Sequence, residues 1–321
     1  SLAATSNAVV ITMASVRDTA TFFTEGSATQ FEHVLSLYPE ALRLKAETKN
    51  KKPEELIKLD NWYQNELPKK IKSRGKDAHL IHEELVQLMK WKQTRGKFYP
   101  QLNYLVKVNT PRAVMAETRK AFRKLPNLEQ AITALSNLKG VGTTMASALL
   151  AAAAPEKAPF MADECLMAIP DIEGIDYTTK EYLNFVNHIQ NTAERLNKET
   201  SNGWWSLHRV ELALWTHYVA SELKPELLDG MPNGSIHHQN GDTQPSPPTE
   251  ALTIPADETT TVSTDGLECS DESNLEANGD NGKVDAADDT TTTSYPETSD
   301  QDSCSLQEEP PTKKLKATDV K

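Results

Sequence analysis

The sequence predicts an all-α domain followed by a disordered acidic tail, and three observations lead there. Apolar residues in the first two thirds of the chain recur at helical spacing, and no alternating apolar run bounded by turn residues marks a strand. The 321 residues carry a net charge of −12, unevenly placed: residues 231–321 hold 19 acids and 5 bases, a net of −14, while residues 1–230 hold 27 acids and 29 bases, a net of +2. The acidic part, with "DDTTTTS" at Asp288–Ser294, has sparse apolar residues and no period, so it cannot bury enough surface to offset its ordering entropy.

The expected division is therefore a leader or upstream segment over 1–12, ahead of Met13, a helical domain over 13–228, and the acidic Ser/Thr-rich tail over 229–321. About 215 residues of body are enough for one domain with a sizeable core. Of the three cysteines, Cys269 and Cys304 fall in the tail and Cys165 in the body, which gives no disulfide framework and no zinc or iron–sulfur spacing. A reducing compartment fits. No run reaches the roughly 18 apolar residues of a membrane span, no secretory signal is legible, and no cofactor or metal site is expected.

Taken in order, "ATQFEHVLSLYPEALRLKAE" and "PEELIKLDNWYQNEL" read as amphipathic helices, with breaks at Pro53 and Pro68. "AHLIHEELVQLMKWKQTRGKF" follows and ends near Gly96, and "PRAVMAETRKAFRKL" opens at Pro111. Asn127 with Gln130 matches a capping box, and Leu128, Ile132, Leu135 and Leu138 form an apolar stripe. That helix stops at Lys139-Gly140, turns through Val141-Gly142, and restarts at Thr143, with Met145, Leu149 and Ala152 on its buried face. Thr178 and Glu181 make a second box before a long helix faced by Tyr182, Phe185, Val186, Ile189, Ala193 and Leu196. "SLHRVELALWTHYVASEL" is apolar on more than one side, the pattern of a deeply packed helix, with Trp215 in the core.

A helix, a Gly-x-Gly turn and a second helix have a specific use. Glycines let a phosphate approach the backbone, and the unpaired N–H groups and dipole at the second helix attract an anion without reading sequence. The plain alternative, that the glycines serve only the turn, stays open. Here "LKGVGTTMASALL" followed by "APFMADE" resembles the helix-hairpin-helix DNA glycosylase superfamily, and more narrowly its Amun-type insect nuclear proteins. The matched motif spans Leu138–Glu164, and the helical pattern extends the likeness to about 85–223.

The resemblance implies a glycosylase-like helical fold and DNA as partner. It makes Leu138, Gly140, Val141, Gly142, Thr143 and Thr144 the phosphate-binding hairpin and Asp163 the catalytic acid, which stabilises an oxocarbenium-like sugar and activates water. Two departures qualify it. The amine nucleophile of bifunctional members is replaced by Thr144, which disfavours a lyase route, and a frequent histidine is replaced by Cys165. What remains is monofunctional N-glycosidic cleavage or a non-catalytic DNA or chromatin binder. Read alone, Asp163 is equally a helix N-cap, and Glu164 is a weaker acid candidate.

Lys90, Lys92, Arg95 and Lys97 are candidate DNA contacts, with Trp91, Phe98 or Tyr99 able to stack on an extruded base. Solvated bases over a core Trp91 is the blander reading. Arg112–Lys124 and Lys69–Lys76 are two further basic segments with the same alternative. Lys313, Lys314 and Lys316 in "PPTKKLK" read as a nuclear import signal, and the acidic tail as a surface for nuclear proteins. The expected location is the nucleus.

Overall fold

The computed structural model describes residues 16–49 and 51–234, all within one compact unit. The expected leader, the acidic tail beyond residue 234, and Lys313, Lys314 and Lys316 lie outside the described residues. Every regular element among those described is helical, so the domain is all-α. No described helix is long and apolar enough to cross a membrane.

Helices α1 (Thr19–Glu25), α2 (Ala28–Ser36) and α3 (Tyr38–Lys49) form the first layer. The single long helix expected over Ala28–Glu47 is divided at Leu37, whose N–H bonds to Val34 and so tightens the last turn of α2. Helix α4 (Pro53–Asn61) begins with Pro53 as a first-turn proline. The break expected at Pro68 is absent, because a π turn over Trp62–Glu66 carries the chain into α5 (Leu67–Ser73). Leu67 N–H reaches back to the Trp62 carbonyl, so the ring of Pro68 is accommodated at a helix start.

Helices α6 (His82–Arg95), α7 (Pro100–Lys107) and α8 (Pro111–Lys124) follow, each starting or ending near the punctuation the sequence shows. Helix α9 (Leu128–Leu135) is capped by Asn127, whose side chain accepts from Gln130 N–H at 3.0 Å. Then come α10 (Thr143–Ala153), the short α11 (Asp163–Ala168), α12 (Thr179–Thr200) and α13 (Leu207–Leu223).

Helix α13 is the axis of the domain. It packs on α1, α2, α3, α11 and α12, and eleven of its residues are buried, Trp215 and His217 fully. Helix α10 is its counterpart in the second half, set among α5, α6, α9 and α12. Its Ala146, Ala148, Ala151 and Ala152 are buried; small side chains there let the neighbours approach, and Tyr63 Oη donates to the Ala148 carbonyl at 2.9 Å. Trp91 is core, stacked on Tyr63 with ring centroids 3.6 Å apart and donating to Asp60 at 2.9 Å.

Candidate functional site

The hairpin between α9 and α10 is fixed from outside. Asn109, just beyond α7, accepts from Lys139 N–H at 2.8 Å and donates to the Lys139 carbonyl at 2.9 Å, clamping the turn at two points. Leu138 and Val141 are buried and anchor the turn to the core. Gly140 has φ +77°, and a Cβ there would lie 3.0 Å from Val106 N and 3.1 Å from Leu105 Cβ. Its missing side chain thus serves the turn and its contact with α7.

Gly142 differs. It is the extended, exposed N-cap of α10 with φ −93°, and a Cβ there would meet nothing within 4 Å. No side chain caps this helix, so its first N–H groups and the positive end of its dipole face outward. Thr143 Oγ1 lies 3.4 Å from Thr179 Oγ1 at the start of α12.

A cleft of about 230 Å³ opens beside α10, lined by Thr144, Asp163, Glu164, Lys92, Arg95 and Lys97, with Lys45 and Lys49 arriving from α3. Tyr99, Phe160, Met167 and Tyr218 complete much of the rest. The hairpin helix and the acid are tied together by Ser147. Its hydroxyl donates to the Thr144 carbonyl at 2.7 Å and accepts from Met161 N–H at 3.0 Å. Tyr182 Oη, donating to the Pro159 carbonyl at 3.1 Å, holds the same segment from α12.

Asp163 is the first residue of α11, not its cap; Ala162 holds that position. Its carboxylate is turned to the cleft, where Oδ1 accepts from Tyr177 Oη at 2.9 Å and Oδ2 lies 3.4 Å from Lys97 Nζ. Its side chain is 24% exposed. Burial pushes its pKa above the ordinary aspartate value, against the opposing pull of Tyr177 and Lys97. Tyr177 adopts a left-handed backbone with φ 56°, an unfavourable state for a bulky residue, and its N–H donates to Glu181 at 2.8 Å. Glu181 therefore braces the tyrosine that holds the acid, while Thr178 caps α12.

Glu164 has the opposite environment. Burial favours its neutral form, but the Lys45 ammonium at 2.8 Å prevails and holds its pKa below the ordinary glutamate value. Two adjacent acids are thus pushed in opposite directions, one poised and one locked. Lys49 donates to the Gly96 carbonyl, and burial together with the neighbouring Lys45 lowers its pKa.

Of the expected site residues, Lys92, Arg95, Lys97, Thr144 and Asp163 converge on the cleft. Lys90 instead pairs with Glu55 on the surface. Arg95, expected among the possible DNA contacts, is 2% exposed, with its guanidinium carbon 4.0 Å from the Trp215 ring centroid. Phe98 is 66% exposed, Tyr99 lines the cleft, and Trp91 is excluded from stacking by its burial. The other basic segments carry structural pairs, Arg74 with Glu84 at 2.7 Å and Arg119 with Asp77 at 2.6 Å.

Lys45, Lys49 and Tyr177 were not legible as site residues. Lys45 and Lys49 do share a helical face at i, i+4, the one signal that could have paired them. Among the described residues no three His, Cys, Asp or Glu side chains gather as a metal site. No protein-family model, curated protein or solved structure matches the chain.

Proposed function

We propose that the chain is a nuclear DNA-binding protein with a helix-hairpin-helix glycosylase-type fold, and that its cleft supports monofunctional cleavage of an N-glycosidic bond. One observation carries this reading: Thr144, on the second helix of the hairpin, and the poised carboxylate of Asp163 line the same cation-rich cleft. The open N-terminus of α10 is suited to a backbone phosphate, and Tyr99, which lines the cleft, supplies a ring on which an unpaired base can stack.

In the reaction, the C1′–N bond of an extruded nucleotide breaks and its electron pair leaves with the base. Ionised Asp163 stabilises the positive charge developing on the sugar. A water adds to C1′ and gives its proton to the same carboxylate. Tyr177 orients the acid through Oδ1, and Lys97 favours its ionised form. Thr144 offers no amine, so no imine forms at that position.

The test is base release from a panel of lesion-bearing duplexes, comparing wild type with Asp163→Asn. Release lowered by about 10²–10⁴-fold supports the mechanism; release that survives the substitution refutes it. A second reading, a DNA or chromatin binder without chemistry, is favoured by the engagement of both Asp163 oxygens by protein groups. Salt-dependent binding with no release on any substrate selects it. For location, replacing Lys313, Lys314 and Lys316 by alanine should disperse a fluorescent fusion from the nucleus. Undiminished nuclear accumulation rejects the import role.

A further inference from the structure

Five large apolar side chains stand exposed among the described residues, and four of them, Ile81, Phe98, Tyr104 and Val108, fall within residues 81–108. Single exposed apolar groups are ordinary on a protein surface, whereas a cluster marks a surface that is covered in use. Tyr104 and Val108 stand at i, i+4, the first on α7 and the second at its C-cap, so they share one face. Ile81 precedes His82, whose Nε2 meets the Lys107 carbonyl at 3.0 Å, so the start of α6 borders the end of α7. Phe98 lies between Lys97 and Tyr99, two of the residues that line the cleft. Tyr104 is the most open of the four, with 68% of its surface in water.

Position and charge say what covers this face. The hairpin rests on the same helix: a Cβ on Gly140 would lie 3.0 Å from Val106 N and 3.2 Å from the Leu102 carbonyl oxygen. Asn109 ties the Lys139 backbone to the end of α7, which brings Lys107 and Lys139 to one junction, and both are exposed. Residues 85–116 and 130–155 are the two longest stretches of the chain without Asp or Glu. They hold α7, all of α10 and most of α9. The first stretch also carries six bases. In a chain with 46 acids among 321 residues, the elements that meet here are the ones that would not repel a polyanion.

We propose that the outer face of α7 is a second nucleic-acid contact beside the hairpin, where the Tyr104 ring stacks on an unpaired base and Lys107 and Lys139 meet nearby phosphates. An intact duplex keeps its base faces stacked and offers a protein only edges and backbone, so an exposed ring can stack only where a base is free. The substrate class is therefore DNA that is single-stranded or locally open. A protein partner held by the apolar atoms alone would not require the carboxylates to be missing. The inference rests on the DNA-binding part of the function proposed above and needs no chemistry at Asp163.

The experiment measures anisotropy with the full chain at fixed ionic strength, since screening alone alters phosphate contacts. Three probes of matched sequence are titrated: a single strand, its intact duplex, and that duplex with one bulged nucleotide. Wild type should prefer the single strand and the bulge to the intact duplex. Tyr104→Ala should weaken binding to those two about tenfold, the loss of one stacked base, and leave the intact duplex unchanged. Tyr104→Phe keeps the ring and should keep the preference. Neither substitution should move the melting temperature, because the side chain is already largely in water. Lys107→Gln should lower the salt dependence on the single strand by about one phosphate.

Tyr104→Ala with undiminished affinity for the single strand and the bulge overturns the proposal. So does an equal loss on the intact duplex, which would make the ring a backbone contact. Self-association of the chain in sedimentation, abolished by Tyr104→Ala with no effect on DNA, would assign the face to a second copy instead. Gly142→Asp separates this contact from the hairpin. If only Gly142→Asp weakens binding, the hairpin reading survives and the α7 contact fails; if only Tyr104→Ala does, the reverse holds. These are binding measurements, so the base-release result for Asp163→Asn bears on the catalytic reading alone.

Discussion

The hairpin and the start of α11 each set two like residues close together and give them opposite work. In the hairpin, Gly140 is consumed by the fold, held at φ +77° against α7, while Gly142 is open and extended. At α11, Glu164 is locked by Lys45, while Asp163 stands in the cleft with a raised pKa. Residue type does not separate the members of either pair. Surroundings do: Gly140 packs on a neighbouring helix while Gly142 meets nothing, and of two acids on one cleft Glu164 is held by an ammonium at 2.8 Å while Asp163 has one at 3.4 Å.

The sharpest way to break the comparison is at Glu164. Glu164→Ala leaves the half-buried Lys45 without its partner, which should cost about 1.5–3 kcal/mol in denaturant unfolding. An unchanged midpoint would mean the pair is not structural. Gly140→Ala should cost about 1–3 kcal/mol through the left-handed backbone alone, plus a shift of α7. The folded fraction should keep its DNA affinity, measured by anisotropy. If instead affinity falls while stability holds, Gly140 and not Gly142 is the phosphate contact.

Gly142→Asp sharpens the contrast from the other side. Aspartate at this N-cap satisfies an open N–H, whereas glycine leaves it bare, so stability should rise by a few tenths of a kcal/mol. The same carboxylate repels phosphate, so DNA binding should weaken. A variant that is more stable and binds DNA as well as wild type would remove the hairpin from the interface.

Asp163→Asn carries the smallest effect on stability and the most informative sign. The folded-state pKa of Asp163 is raised, so its ionised form is disfavoured by the fold. Its contribution to stability is full below the unfolded value and is lost as pH rises through the folded value. The asparagine variant should therefore melt at or above wild type at neutral pH, and the gain should vanish toward acid. Base release by the wild type should fall on the acid side at a higher pH than an ordinary aspartate would give. A variant that melts lower at neutral pH would place Asp163 with the structural acids.

Much of this was legible in the sequence. The stripe from Leu128 and the restart at Thr143 are local patterns, and helices begin where those patterns begin; the first ends at Leu135, earlier than the expected stop at Lys139-Gly140, and Leu138 is buried beyond the helix. Trp91 and Trp215 were readable as core for the same reason. Arg95 was within reach: it lies four residues beyond Trp91 and seven beyond Leu88, on the buried face of α6. Grouping it with neighbouring bases by charge concealed that register.

The rest of the site depended on distance along the chain. Lys45 and Lys49 share a cleft with Asp163 only because α3 packs on α13, and no local spacing announces that arrangement. The left-handed Tyr177 has no compositional signature either, since glycine or asparagine is the usual occupant of that conformation. The π turn that absorbs Pro68 depends on a carbonyl six residues before the proline, a relation that propensity does not encode.

The central position of α13 bears on how the molecule can be taken apart. His217, fully buried on this helix, meets Thr19 Oγ1 at 2.9 Å and the Val16 carbonyl at 2.8 Å, and its ring stacks on Phe22. The segment that carries the hairpin and the acid is therefore not a detachable module. A fragment beginning near residue 85 would expose the face of α13 that α1, α2 and α3 cover, along with the Trp215 ring that supports Arg95. Deletion mapping of any activity would then report misfolding and not location, and dissection of this domain belongs to point substitutions.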